Sequence, residues 1–153
     1  MRKRLFVLLI ALSVAILMQA CVQQLKMKIS GNSMLPALSK GVQVTVDKKA
    51  YEKNEPQRGD IIAFKDDKGI TLIKRVIGLP GETLEIKDGK VYIDGAELEE
   101  PYLYEQETKT SVNTSWSISR NYIFVMGDNR GASADSRNFG TVPIKSIIGK
   151  VVP

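Results

Sequence analysis

A lysine within an apolar strand pattern is the first feature of this sequence that could take part in a chemical reaction. In GITLIKRVIG (69–78), alternation places Lys74 on one face with Ile70, Leu72 and Val76. Such a lysine either reaches water along its aliphatic stem or is desolvated, which lowers its pKa from about 10.4. A neutral amine near neutral pH can serve as a general base. Alternation alone favours the first alternative.

The chain contains no histidine and a single cysteine, Cys21. Ser-His-Asp and Cys-His arrangements are therefore excluded, and a catalytic base has to be a lysine, a carboxylate or a terminus. Zinc and copper favour nitrogen and sulfur ligands, so no such metal site and no cofactor are expected. One cysteine also excludes an internal disulfide.

A base needs a nucleophile, and Ser33 in ISGNSMLPAL (29–38) is a candidate. Gly31 favours a turn just before it. From this stretch alone, an ordinary turn serine is the favoured interpretation. The apolar residues Met34 and Leu35 follow, and contact with lipid or substrate and plain packing are equally good interpretations of both.

A loop rich in charges and glycine, GDNRGASADSRNFG (127–140), follows a second apolar strand pattern. Its polar side chains include Asp128, Asn129, Arg130, Ser133, Asp135, Ser136 and Arg137. A solvated loop is the simplest interpretation. Opposite charges at this density beside an apolar strand favour a hydrogen-bonded network that fixes the loop.

Short strand patterns separated by glycine-rich turns dominate the chain after residue 26. Strands are predicted at 42–46, 58–65, 69–78, 121–129 and 144–152, with a hairpin at 82–95 turning at Asp88-Gly89. No helical period is sustained, so we expect a mainly β fold, a sandwich or barrel. The polar, aperiodic residues 101–120 predict a long surface excursion or ribbon.

A basic tip and an apolar run open the chain. Residues 5–22 are 18 in number and would span about 27 Å as a helix, the lower edge of a bilayer span. A membrane anchor, a cleaved secretory peptide and a lipoprotein signal at Cys21 are the alternatives, and we favour the anchor. The expected domain organisation is a cytoplasmic tail (1–4), a transmembrane anchor (5–22) and an extracytoplasmic domain (26–153).

The net charge of +5 does not indicate nucleic-acid binding. Three of the 22 basic residues lie at positions 2–4, and all 17 acidic residues lie after residue 46. Acids and bases are interspersed there, without a basic stripe. No nucleic-acid partner is expected.

Four stretches in this order, SGNSMLP, RGDIIAF, LIKRVIGLPGETLEI and GDNRGASADSRNFG, carry a family resemblance. They closely resemble the type I signal peptidases, the bacterial leader peptidases, over roughly residues 29–150. The family consists of membrane-anchored serine endopeptidases with a Ser-Lys dyad on a β-rich fold. They remove signal peptides on the outer side of the bacterial plasma membrane.

The resemblance implies a role for several residues. Ser33 would be the nucleophile and Lys74 the general base. Ser133 would orient the lysine by a hydrogen bond, and Asp135 and Arg137 would form a buried ion pair. Gly31 stands where some members carry a hydroxyl of the oxyanion hole, and this glycine and the short chain resemble the Gram-positive branch. The roles of Arg75 and Asp128 stay open: they either support catalysis or belong to the structural scaffold.

The resemblance also implies substrates and location. Exported preproteins would be cut after small residues of the Ala-X-Ala type, by an enzyme anchored once in the bilayer with its N-terminus in the cytoplasm. The alternative from a different class is a surface lipoprotein or β-domain binding module, lipidated at Cys21 with an inactive dyad.

Overall fold

The computed structural model describes residues 23–104 and 113–152. The predicted tail and anchor and Cys21 lie outside these residues. Within them, no helix is long and apolar enough to cross a membrane. The described chain is mainly β, as predicted.

Short strands account for most of the regular structure. The strands are β1 (Gln24–Lys28), β2 (Gln43–Asp47), β3 (Ile61–Lys65), β4 (Thr71–Gly78), β5 (Thr83–Lys87), β6 (Lys90–Ile93), β7 (Ala96–Glu97), β8 (Thr114–Ser117), β9 (Tyr122–Met126), β10 (Val142–Pro143) and β11 (Ile147–Val152). One α-helical turn, α1 (Ser136–Phe139), and two 3-10 turns (Arg130–Ala132 and Ile144–Ser146) complete the described elements.

The larger sheet is antiparallel, with the order β1-β2-β11-β3-β4-β9-β10. The strand β4 lies inside it and pairs along its whole first half with β3, where Ile62 faces Lys74. On its other side, β4 pairs with β9 only from Arg75 onwards. Residues 71–74 therefore have no strand partner on that side within the described chain.

The smaller sheet has the order β7-β6-β5-β8. Its central hairpin turns at Asp88-Gly89, as predicted, and both turn residues have positive φ, 49° and 77°. Apolar residues of this hairpin pack against the second half of β4 and against β9. The cluster they share is Ile77, Leu84, Ile86, Val91, Ile118, Phe124 and Met126.

Two further clusters fill the larger sheet. One lies on the face of β4 that carries Val76, and the other packs around β2 and β11. Buried apolar side chains of adjacent strands thus hold β4 rigidly on both faces, which matters because β4 carries Lys74.

The predicted strands form, with boundaries shifted by a few residues. The expected excursion at 101–120 differs in part, because Thr114–Ser117 form β8 and pair with β5. The strand β1 is not among the predicted strands, and the predicted domain boundary at residue 26 falls inside it.

Candidate active site

Lys74 is buried in the middle of β4, with 4% of its surface exposed. Its Nζ lies 2.8 Å from Ser33 Oγ and 3.0 Å from the carbonyl oxygen of Ile73. The side chain therefore does not reach water along its stem. The expected apolar face is shorter than alternation indicated, since Ile70 lies outside β4 and is 55% exposed.

Burial lowers the pKa of the Lys74 amine below its ordinary value. The carboxylates of Asp135 and Asp128 oppose this shift, because nearby negative charge favours the ammonium form. Desolvation is the stronger effect. Burial thus shifts the protonation equilibrium of Lys74 towards the neutral amine that a general base requires.

Ser33 lies in a turn whose backbone is bonded to the loop after β9. The Asn129 N–H donates to the Ser33 carbonyl at 3.0 Å, and Asn129 Nδ2 donates to the Asn32 carbonyl at 3.3 Å. Met34, 2% exposed, packs inside the domain next to the serine. These contacts hold Ser33 Oγ against Lys74 although the two residues are far apart in sequence.

Gly127 is the point of closest approach between the two loops. A Cβ at this position would lie 2.5 Å from the Ser33 carbonyl oxygen and closer still to Ser133 Oγ. Neighbouring atoms would have to move to admit it. Only glycine fits here without a shift of the loop that carries Ser33.

Ser133 lies beside Gly127, but its hydroxyl does not bond to Lys74. Ser133 Oγ is buried and forms no hydrogen bond of acceptable geometry in the described chain, although Asp135 lies nearby. The hydrogen bond to the lysine implied by the family resemblance is therefore absent from this structure.

Asp135 and Arg137 form the ion pair that the resemblance implied, with Arg137 Nε 2.8 Å from Asp135 Oδ1. Asp135 also accepts a hydrogen bond from the Gly127 N–H at 3.0 Å and caps α1. Burial works to raise the pKa of this carboxyl, but Arg137 and the Gly127 N–H outweigh it and hold the pKa below its usual range. Asp135 is thus a charged anchor for the loop.

Arg75 and Asp128 form a second ion pair next to the dyad. Arg75 Nε and Nη2 donate to the two Asp128 oxygens at 2.8 and 2.6 Å. Arg75 Nη1 donates to the Gly59 carbonyl at 2.8 Å, and its guanidinium lies 4.2 Å from the ring centroid of Tyr102. A two-point charged contact of this kind fixes the register between β4 and the loop.

The surroundings of Gly31 are open. A Cβ at this position would meet nothing within 4 Å. In the described chain the Ser33 N–H makes no backbone hydrogen bond, so it is available to a ligand. Met34 is buried, which favours packing over lipid contact, while Leu35 is half-buried.

Comparison with known proteins decides the family. The family model described as signal peptidase, peptidase S26, matches residues 1–153. The chain belongs to the signal peptidase family. It is 39% identical over 135 residues to signal peptidase I of Bacillus caldolyticus, covering 80% of this chain and 74% of that protein. It is 40% identical over 153 residues to a probable signal peptidase I-1 of Synechocystis, covering 93% of this chain and 76% of that protein.

A solved structure is similar as well. The crystal structure of a signal peptidase I from Enterococcus faecalis is 36% identical, with a TM-score of 0.58, over 65% of this chain and 98% of that one. As a member of the signal peptidase family, this chain is a serine peptidase. The comparisons do not favour the lipoprotein alternative.

Two features of this signal peptidase site escaped sequence reasoning. Gly127 was part of the motif, but only its packing shows why a glycine stands there. Glu100, which bonds to Arg130, lies just before the stretch 101–120 that was predicted as a surface excursion. No periodicity distinguishes Glu100 from its acidic neighbours, so the sequence offered no signal for it.

Proposed function

We propose that this signal peptidase cleaves exported preproteins with Ser33 as nucleophile and Lys74 as general base. The observation that carries the proposal is the 2.8 Å contact between Lys74 Nζ and Ser33 Oγ, made by a buried lysine whose pKa is lowered by desolvation. Hydrogen-bond distance between nucleophile and base is the geometric requirement for this chemistry.

The reaction follows from that contact. Neutral Lys74 takes the proton of Ser33 as Oγ attacks the scissile carbonyl carbon, and the lysine then gives the proton to the leaving amine. The C–N bond breaks and an acyl-enzyme remains on Ser33. Lys74 next takes a proton from water, whose oxygen attacks the ester carbonyl carbon. The C–O bond to Ser33 breaks, the acid leaves, and Lys74 returns the proton to Ser33 Oγ.

The oxyanion of both tetrahedral intermediates needs hydrogen-bond donors. The Ser33 N–H is unengaged and serves as one donor. Gly31 has no side chain, so the second donor is a backbone N–H or water. A preorganised donor of this kind contributes about 2.7–4 kcal/mol in other serine peptidases.

The supporting residues keep the dyad in place. Asp135-Arg137 and Arg75-Asp128 fix the loop that contacts Ser33. We propose that Ser133 orients Lys74 during the reaction, as the family resemblance implies, since its buried hydroxyl forms no hydrogen bond of acceptable geometry in the described chain and is free to turn to the amine.

The substrate docks as a strand. Residues 71–73 of β4 directly precede Lys74, and their backbone on one side has no strand partner in the described chain. An extended peptide can add to such an edge by main-chain hydrogen bonds. Alternate side chains would then enter shallow subsites, consistent with sites of the Ala-X-Ala type, and half-buried Leu35 is a candidate contact.

We also propose that residues 5–22 anchor the enzyme in the bacterial plasma membrane, with residues 1–4 in the cytoplasm and the catalytic domain outside. The strand β1 begins at Gln24, so almost no linker separates the proposed anchor from the domain. Ser33, five residues after β1 ends, would then work near the lipid surface, where a membrane-inserted preprotein presents its cleavage site.

A cleavage assay tests the chemistry. The full chain in detergent or vesicles is incubated with a preprotein, and Ser33→Ala is compared with Ser39→Ala, an exposed serine of the same segment. We expect wild type and Ser39→Ala to release the signal peptide and Ser33→Ala to release none. Cleavage by Ser33→Ala at the wild-type rate would refute the assignment.

Fractionation tests the anchor. We expect the intact chain, starting at residue 1, in the membrane fraction and resistant to alkaline extraction. A soluble chain beginning near residue 22 would contradict the anchor.

A further inference from the structure

A third buried charge pair, Arg130-Glu100, lies outside Ser33 and Lys74 and outside the pairs Asp135-Arg137 and Arg75-Asp128. Arg130 Nη1 donates to Glu100 Oε2 at 3.0 Å, and Arg130 Nη2 donates to Glu100 Oε1. The side chains of Arg130 and Glu100 are 0% and 5% exposed. Such a two-point pair in a dry environment has a defined geometry, unlike a surface ion pair.

The pair acts on the backbone that touches the nucleophile loop. Arg130 Nε donates to the Gly127 carbonyl at 3.1 Å. Gly127 is in turn the residue that lies against the Ser33 carbonyl. A chain of contacts thus runs from Glu100 through Arg130 to the peptide that supports Ser33.

The same segment holds the loop at a second point. Tyr102 Oη donates to Glu100 Oε1 at 2.9 Å, and the Tyr102 ring lies under the Arg75 guanidinium. The Tyr104 N–H donates to the Asp128 carbonyl at 3.1 Å. Residues 100–104 therefore contact both the Arg75-Asp128 pair and Arg130.

We propose that Glu100 is a positioning residue for cleavage, acting through Arg130 on the Gly127 peptide and so on Ser33. This inference rests on the proposed function of Ser33 and Lys74. Removal of the Glu100 carboxylate takes away the acceptor of two charged hydrogen bonds from the Arg130 guanidinium, and loss of one member of a buried ion pair favours movement of the other. Movement of Arg130 releases the Gly127 carbonyl and loosens the contact that aligns the nucleophile.

The test compares Glu100→Gln with Glu97→Gln in the full-length enzyme. Glu97 provides a matched control, because it also pairs with a cation, Lys90, but both side chains are about half exposed, 49% and 55%. We expect Glu100→Gln to lower kcat at least about tenfold with KM nearly unchanged, since misalignment of reacting groups affects the chemical step. Glu97→Gln should match wild type.

The pH profile separates positioning from a change in the base. The charges that act on the pKa of Lys74 are those of Asp135 and Asp128, so the acidic limb of kcat/KM should keep its midpoint in Glu100→Gln. Rates are expressed per folded molecule, measured well below the unfolding temperature. A loss of activity that only follows the loss of folded protein would overturn the proposal.

Hydrogen exchange provides a readout that does not need catalysis. We expect the Gly127 and Asn129 amides to exchange faster in Glu100→Gln than in Glu97→Gln, because their partners are Asp135 and the Ser33 carbonyl. Equal exchange and equal kcat in the two variants would refute the role of Glu100. An inactive wild type would refute the proposed function instead, while the exchange comparison would still decide whether Glu100 positions the loop.

Discussion

Gly127→Ala is the substitution whose effect follows most directly from the structure. The added Cβ would lie 2.5 Å from the carbonyl oxygen of Ser33, whereas ordinary contact begins at 3.4 Å. The clash is with backbone, which cannot rotate away as a flexible side chain can. The loop that carries Ser33 and the loop after β9 therefore have to separate.

The size of the effect can be worked out from these distances. Restoring ordinary contact needs a displacement of about 0.9 Å, and misplacement of reacting groups by about 1 Å costs roughly 100-fold in rate. This corresponds to about 2.7 kcal/mol in the activation free energy. Overpacking of the buried site should also lower the free energy of unfolding by about 1–3 kcal/mol, or roughly 3–10 °C in Tm.

Gly31→Ala is the matched control, since it adds the same methyl group on the other side of Ser33. Its Cβ meets nothing within 4 Å and its φ is not positive, so the methyl group fits. Cleavage of a preprotein is measured as kcat/KM below the unfolding temperature, beside thermal unfolding of both variants. We expect a loss of about 100-fold for Gly127→Ala and near wild-type values for Gly31→Ala.

Wild-type kcat/KM for Gly127→Ala would show that the two loops tolerate separation, and the close approach at Gly127 would then not be needed for cleavage.

Three further outcomes are expected. Lys74→Arg should abolish cleavage, since a guanidinium stays charged and cannot accept a proton; retained activity in the same assay would exclude the lysine as base. Val76→Thr puts a hydroxyl on the buried face that carries Lys74 and should raise the pKa of the amine, so the acidic limb of the kcat/KM profile moves to higher pH; an unmoved profile would contradict desolvation as the cause. Gly31→Ser adds a donor in open space and should exceed Gly31→Ala in kcat, by up to about 100-fold; equal rates would mean that the oxyanion needs no second side-chain donor.

The strands with clear alternation or apolar runs were predictable, because their pattern matches their burial. In β2 the buried residues are Val44 and Val46, and the hairpin turn at Asp88-Gly89 follows from residues that tolerate positive φ. The pattern failed for β8, TSWS, which is mostly polar. It forms a strand because Trp116 packs against Phe124, with ring centroids 4.9 Å apart, a contact that no local signal predicts.

The contact between Ser33 and Lys74 could be predicted only through the family resemblance. The alternation of residues did not decide whether the Lys74 side chain is solvated or buried. It also placed Ile70 on the apolar face of the strand, because the pattern does not show where β4 begins. The contact of Gly127 with Ser33 and the pairing of Glu100 with Arg130 join distant parts of the chain. Such contacts are set by how the two sheets and their loops pack, which single-sequence reasoning does not reach.

The edge of β4 that has no strand partner among residues 23–104 and 113–152 also bears on how this protein behaves at high concentration. A strand with free amide and carbonyl groups pairs with any extended chain, including a second copy. On β1, the outer strand of the same sheet, Lys26 and Lys28 oppose such pairing by charge, whereas residues 71–73 of β4 carry no charge. The substrate docking that we propose along this edge therefore comes with a tendency to self-associate, which a peptide bound along β4 should suppress.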